Sequence, residues 1–187
     1  MALPDGYLCL LEHLAEAFTR YAERTGVSPV LVGGGAAAIM TAGAFMSGDL
    51  DVLAGNDDAF AQAMADAGFV ADHRPRRSVV GWYHPDHLEY GVELVSGYLF
   101  DGRADRDRLV RLSVRSGHEL TLPAPEDLIA DRLGQHAIAG PTDRSRLEQA
   151  RLIARLAERL DHGYLERRVI EEGGNPDLLW RDEEGRC

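Results

Sequence analysis

Apolar positions at spacings of three and four open the chain. Leu11, Leu14, Phe18 and Tyr21, with acids between them, predict an amphipathic helix that ends near Gly26. Pro29 to Val32 then reads as a short strand, the Ala-rich run from Ala36 to Ala44 as a tightly packing helix, and Leu50 to Leu53 as a second strand. Asn56-Asp57-Asp58 is a helix start, with Phe60 and Met64 on the apolar side and Gly68 at the C-terminal end. Beyond Gly68 the pattern turns to strands: Phe69 to Ala71, Val79 to Tyr83, Val92 to Val95, Leu109 to Val114 and Leu120 to Leu122. The last two are close enough for an antiparallel hairpin at Arg115-Ser116-Gly117. Pro125 suits the first turn of a helix carrying Leu128, Ile129 and Leu133, a longer helix runs from Thr142 through Leu156, and another begins near Tyr164. These elements predict an α+β protein: a mixed β-sheet with helices over residues 1–122, followed by a helical C-terminal extension over 123–187.

Composition narrows the chemistry. At 45% hydrophobic and 27% charged residues the chain has enough apolar side chains to bury a core, which a disordered chain lacks. The net charge is -11, but unevenly spread: residues 1–102 hold 5 Arg against 14 acids, whereas residues 103–168 hold 13 Arg against 11. All twenty basic residues are arginine, so a Walker-type phosphate lysine and Schiff-base chemistry are both excluded. Cys9, expected on an apolar helix face, and Cys187 at the far end make no disulfide framework, which predicts a cytoplasmic protein. No signal peptide is expected at the start, and the charge-free stretch from Thr25 to Gly48 carries too many glycines for a membrane span.

The candidate chemistry sits inside that stretch and just after it. Val32-Gly33-Gly34-Gly35-Ala36 places a glycine turn where a strand meets a helix, a setting in which unpaired backbone N–H groups face an anion. Ser47-Gly48-Asp49-Leu50-Asp51-Val52 follows, with two carboxylates at i and i+2 of a strand, about 7 Å apart on one face. A single carboxylate would serve a dinucleotide ribose, the alternative that Gly33-x-Gly35-x-x-Ala38 offers; two on one face call for a cation. A third acid for two-ion chemistry is supplied by Glu93, flanked by apolar residues that point the other way. His84-Pro85-Asp86-His87 holds two imidazoles without a cysteine or third ligand at zinc spacing, and Pro85 argues for a turn. Arg74-Pro75-Arg76-Arg77 reads as a solvated loop, and Trp82 and Tyr83 as strand residues that pack in a core.

This order of strand, glycine turn, helix and Asp-x-Asp strand resembles the minimal nucleotidyltransferases of the DNA-polymerase-beta superfamily, and most nearly the group with nucleotidyltransferase toxins and abortive-infection proteins. The resemblance rests on Val32 to Ala36, on Ser47, Asp49 and Asp51, and on Leu122-Pro-Ala-Pro-Glu-Asp-Leu-Ile-Ala-Asp-Arg-Leu133. Arg132 stands where that group has lysine and Glu93 where it commonly has aspartate. The resemblance implies a nucleotidyltransferase-like fold and transfer of a nucleoside monophosphate from a nucleoside triphosphate to a hydroxyl of RNA (tRNA among them), protein or a small molecule. It implies magnesium or manganese held by Asp49, Asp51 and Glu93, nucleotide binding by Gly33, Gly34, Gly35, Ser47 and Arg132, and an antitoxin partner. A catalytically silent nucleotide- or partner-binding relative and a dinucleotide-binding oxidoreductase are the alternatives.

Overall fold

The computed structural model describes residues 2–72, 80–95, 98–139 and 143–180. Val79, the arginine-rich segment 74–77, Thr142 and Cys187 lie outside the described residues. The chain divides into two compact units, Met1–Tyr98 with Leu109–Pro123, and Leu99–Arg108 with Ala124–Cys187.

In the first unit, helix α1 (Asp5–Thr25) stops where Gly26 takes φ +75° and donates to the Ala22 carbonyl, a left-handed cap that glycine adopts without a steric penalty. Strand β1 (Val30–Val32) passes directly into α2 (Gly33–Met40), which starts at Gly33 rather than Ala36 and ends before Ala44. It ends early because Ala42 and Gly43 both take positive φ, +50° and +80°, and the Gly43 N–H turns back to Ala38. β2 (Asp49–Leu53) and α3 (Asp57–Asp66) follow, α3 being capped by the Asn56 side chain, which accepts the Ala59 N–H.

The remaining strands of the main sheet are β3 (Val70–Asp72), β4 (Val80–His84) and β5 (His87–Val95). β5 begins at His87, well before Val92, because the Pro85-Asp86 turn returns the chain at once and His84 pairs with His87. The five strands lie in the order β1-β2-β5-β4-β3, antiparallel throughout except for the central β2–β5 pair, which is parallel. β6 (Val110–Ser113) and β7 (Glu119–Leu122) form the expected hairpin as a separate two-stranded sheet.

One face of the main sheet makes the core. Leu50, Val52, Val92 and Trp82 are buried there, and Phe60 of α3 meets Trp82 edge-on at 5.3 Å and Tyr21 of α1 at 6.0 Å. The Tyr21 hydroxyl accepts the Asn56 N–H, so the polar end of a core residue also fixes the entry to α3. Cys9 is exposed, not on the apolar face that the spacing predicts for it. No helix among the described residues is long and apolar enough to cross a membrane.

The second unit comprises α4 (Pro125–Ile138), α5 (Ser145–Leu156) and α6 (His162–Glu171). Its centre holds an ion pair: Arg168 and Asp127 have side chains 0% and 1% exposed, with Nε donating to Oδ1 at 2.7 Å. The other guanidinium nitrogens reach Glu171 and Glu172, each at 2.8 Å, and the Tyr164 hydroxyl lies 3.0 Å from both Asp127 oxygens. These acceptors hold the Arg168 guanidinium charged, its pKa raised above the usual arginine value against the cost of burial. Gly134 lets α4 close on the end of α6, since a Cβ there would fall 2.6 Å from the Glu172 carbonyl oxygen.

Removing one partner of a buried pair leaves the other charge uncompensated, a loss on the order of 3–5 kcal/mol. Arg168→Met should therefore lower the urea-unfolding free energy by about that amount, and Arg168→Met with Asp127→Leu should recover part of it. A single variant as stable as the parent would show that the pair does not organise this unit.

Candidate active site

Three glycines open the site, each for a different reason. Gly33 has φ +62°, and a Cβ on it would stand 2.2 Å from Asp51 Oδ2, so both backbone and space require glycine. At Gly34 a Cβ would stand 2.6 Å from Ser47 Oγ. At Gly35 the clash is with the core, 2.6 Å from Leu50 Cδ2 and 3.1 Å from Leu31 Cδ1. Gly33 and Gly34 thus press against the strand that carries the acids, while Gly35 seats α2 on the hydrophobic side. α2 has no acid in its first turn and no side-chain cap, and its leading N–H groups have no carbonyl one turn back. That end of the helix is suited to an anion.

The acids are placed by strand register. Along β2, Leu50 and Val52 are buried, whereas Asp49 is exposed and Asp51 half-buried, the alternation of a strand with one face in the core. The Ser47 hydroxyl donates to the Asp49 carbonyl at 2.7 Å, tying down the approach to the strand. In the parallel pairing Asp51 lies opposite Glu93 and Asp49 opposite Gly91. Paired residues on neighbouring strands share a face and are separated by about 5 Å, so Asp49, Asp51 and Glu93 converge on one side of the sheet. Carboxylates are the hard oxygen donors that a magnesium or manganese ion takes, although these three share a face without their oxygens all lying within 4.8 Å of one another.

Asp72 extends the same row and was not expected from the sequence. It pairs with Gly81, which pairs with Glu93, so Asp51, Glu93, Gly81 and Asp72 run across the sheet. The strand pattern ended at Ala71, one residue short, and no motif marks Asp72. A cleft of about 490 Å³ lies over this face, lined by Asp49, Asp72, Tyr83, Glu89, Tyr90 and Gly91 among others. Trp82 borders the cleft but is 4% exposed and belongs to the core, whereas Tyr83 is half-buried on the cleft side. Arg132 lies on α4 in the second unit, 2% exposed, with its guanidinium donating to Asp131 at 2.9 Å and to Gln149 at 3.4 Å.

No protein-family model matches the chain, and no curated protein matches its sequence. Solved structures do match. An antigenic nucleotidyltransferase-like protein from Paracoccidioides brasiliensis superposes with a TM-score of 0.62 at 13% identity, over 91% of this chain and 88% of its own. The antibiotic-resistance factor ANT(2″)-Ia, in complex with adenylyl-2″-tobramycin, gives 0.56 at 14% identity, over 89% of this chain and 96% of its own. JHP933 from Helicobacter pylori gives 0.54 at 15% identity, over 95% of this chain and 78% of its own. At such identities the likeness establishes the fold, and the fold is the mixed α+β architecture of nucleotidyltransferase-like proteins.

Proposed function

We propose that this protein moves a nucleoside monophosphate from a nucleoside triphosphate to a hydroxyl, releasing pyrophosphate. The observation that carries the proposal is the β2–β5 register, with Asp51 beside Glu93, Asp49 along the same face, and the Gly33 turn closing on Asp51. Asp49 and Asp51 would hold divalent magnesium or manganese, with Glu93 a ligand on the acceptor side. When bound, such ions neutralise phosphate charge and favour attack by the hydroxyl. The N–H groups opening α2 would take phosphate oxygens and hold the triphosphate in line with the acceptor, joined by the Ser47 hydroxyl if its proton turns from the Asp49 carbonyl to a phosphate. Glu93 would accept the proton of the attacking hydroxyl. The hydroxyl oxygen then bonds to the α-phosphorus as the bond to the pyrophosphate oxygen breaks.

For the acceptor we favour a small hydroxylated amine. ANT(2″)-Ia was solved with an adenylylated tobramycin, and the cleft here is lined by Asp49, Asp72 and Glu89. The net charge of -11 favours an amine over a polyanion. The sequence resemblance offers the other branch, a toxin with a tRNA or protein acceptor and an antitoxin partner. Growth arrest on expression alone, with label from an α-labelled triphosphate entering RNA or protein, would select that branch. Label entering a small amine would select the first. Triphosphate binding without turnover would identify a silent relative.

Asp51→Asn and Glu93→Gln should each reduce pyrophosphate release by about 100-fold or more, and chelation of divalent ions should do the same to the parent. Parent-like rates in either variant would remove the acids from the reaction. Gly33→Ala should lower stability by about 1–2 kcal/mol through its left-handed backbone, and should weaken triphosphate affinity further by displacing Asp51. Thermal melts with and without nucleotide check both effects, and an unchanged variant would refute the close approach of turn and strand.

A further inference from the structure

The start of α1 and the β4–β5 turn bring together side chains for which the transfer reaction has no use. Cys9 and His13 stand four residues apart on α1 and therefore share one face of the helix. His87, the first residue of β5, comes against that face beside Gly6, where a Cβ would lie 3.9 Å from His87 Nδ1. One ligand atom from each of Cys9, His13 and His87 lies within 4.8 Å of the other two. His87 is 9% exposed, and among the described residues its Nε2 is buried without a hydrogen-bond partner. An imidazole nitrogen left in this way costs on the order of 1–3 kcal/mol, so the fold retains a polar atom that no described residue satisfies.

The surroundings hold the two imidazoles in place. His84 stacks on His13 with ring centroids 3.9 Å apart and planes 17° from parallel, and its ring lies 5.6 Å from that of His87. His84 itself is taken up by the turn, its Nδ1 accepting the Asp86 N–H at 3.3 Å. It is therefore a wall for the cluster and not a fourth ligand. The exposed Cys9 is the adjustable member. In a tetrahedral zinc site the ligand atoms are about 3.5 Å apart, a closure that rotation of one surface thiol and a small shift of His13 can provide.

We propose that Cys9, His13 and His87 bind one zinc ion, with water in the fourth position on the solvent side. A thiolate with two imidazoles is a borderline-soft donor set that favours zinc or cobalt over magnesium, unlike the carboxylate row on the sheet. Binding releases the Cys9 thiol proton to solvent and clips the first turns of α1 to the β4–β5 hairpin.

The test uses the full-length protein, stripped with chelator and titrated with Co²⁺. The expected result is uptake of one equivalent with the visible bands of a tetrahedral ion and a near-ultraviolet thiolate-to-cobalt band. Zn²⁺ should displace the cobalt and raise the melting temperature. Cys9→Ser, a surface change, should abolish the thiolate band and weaken Zn²⁺ binding by about 10-fold or more, and His13→Asn should weaken it comparably. Cys187→Ser and Asp51→Asn should keep the band, the second separating this site from the proposed catalytic one. No thiolate band in the parent, a band surviving Cys9→Ser, or a band lost in Cys187→Ser or Asp51→Asn would each overturn the proposal.

Discussion

The absence of room for a Cβ between the β1–α2 turn and strand β2 is the constraint on which the candidate site depends. β1 runs antiparallel to β2 with Val32 opposite Asp51, and the chain then reverses into a helix within a single residue, Gly33 at φ +62°. A reversal this tight brings the end of α2 onto the acid strand without a loop that could move away from it. Gly35 locks the arrangement from the other side by touching Leu50 and Leu31. Gly33 and Gly35 are thus packing contacts at a helix start whose backbone suits an anion, and a side chain at either would push the helix off the sheet.

The second requirement is register. Asp51 and Glu93 come from strands far apart in sequence, and their meeting depends on β2 pairing in parallel with β5 after α3, β3 and β4 have been formed between them. Parallel pairing does not come from a hairpin, so burial must choose the alignment. Leu50 and Val52 on β2, Val92 on β5 and Trp82 on β4 are all buried on the α3 side, with Phe60 against Trp82. A slip of one residue would turn these side chains to solvent and carry Asp51 and Glu93 into the core. The hydrophobic face therefore aligns the polar one, and the carboxylates need no direct contact with one another to be held in a row.

Local patterns made much of this legible. The Gly26 cap of α1, the Asn56 start of α3, the β6–β7 hairpin and Pro125 in the first turn of α4 all follow from residues within one turn of the feature they set. The alternation around Asp49 and Asp51 likewise shows which side chains leave the core. Partners distant in sequence were not legible. The pattern predicts β5 only from Val92, because Leu88-Glu89-Tyr90-Gly91 lacks a clean alternation, yet the strand pairs from His87 onward. Asp72 joins the acid row through two successive pairings that no spacing encodes. Spacing along the chain gives His84 and His87 no third ligand, because the side chains that come against His87 are distant in sequence. Cys9 and His13 arrive from α1, and the exposed cysteine breaks the apolar pattern that was expected to bury it.

β5 links the two proposed sites. His87, at its first position, meets α1, and Glu93, further along the same strand, faces Asp51. Its neighbours are strands on both sides, so it is an interior strand whose displacement would break hydrogen bonds with β2 and β4 together. Whatever fixes the His87 end to α1 also limits how far the strand can slide or twist against β2. Because Glu93 and His87 stand at different ends of one strand, the proposed oxygen-ligated site and the proposed sulfur- and nitrogen-ligated site would select different cations. A soft-metal cluster at the His87 end is then compatible with an oxygen-ligated site at the Glu93 end, and stiffness of β5 is the property the two would share.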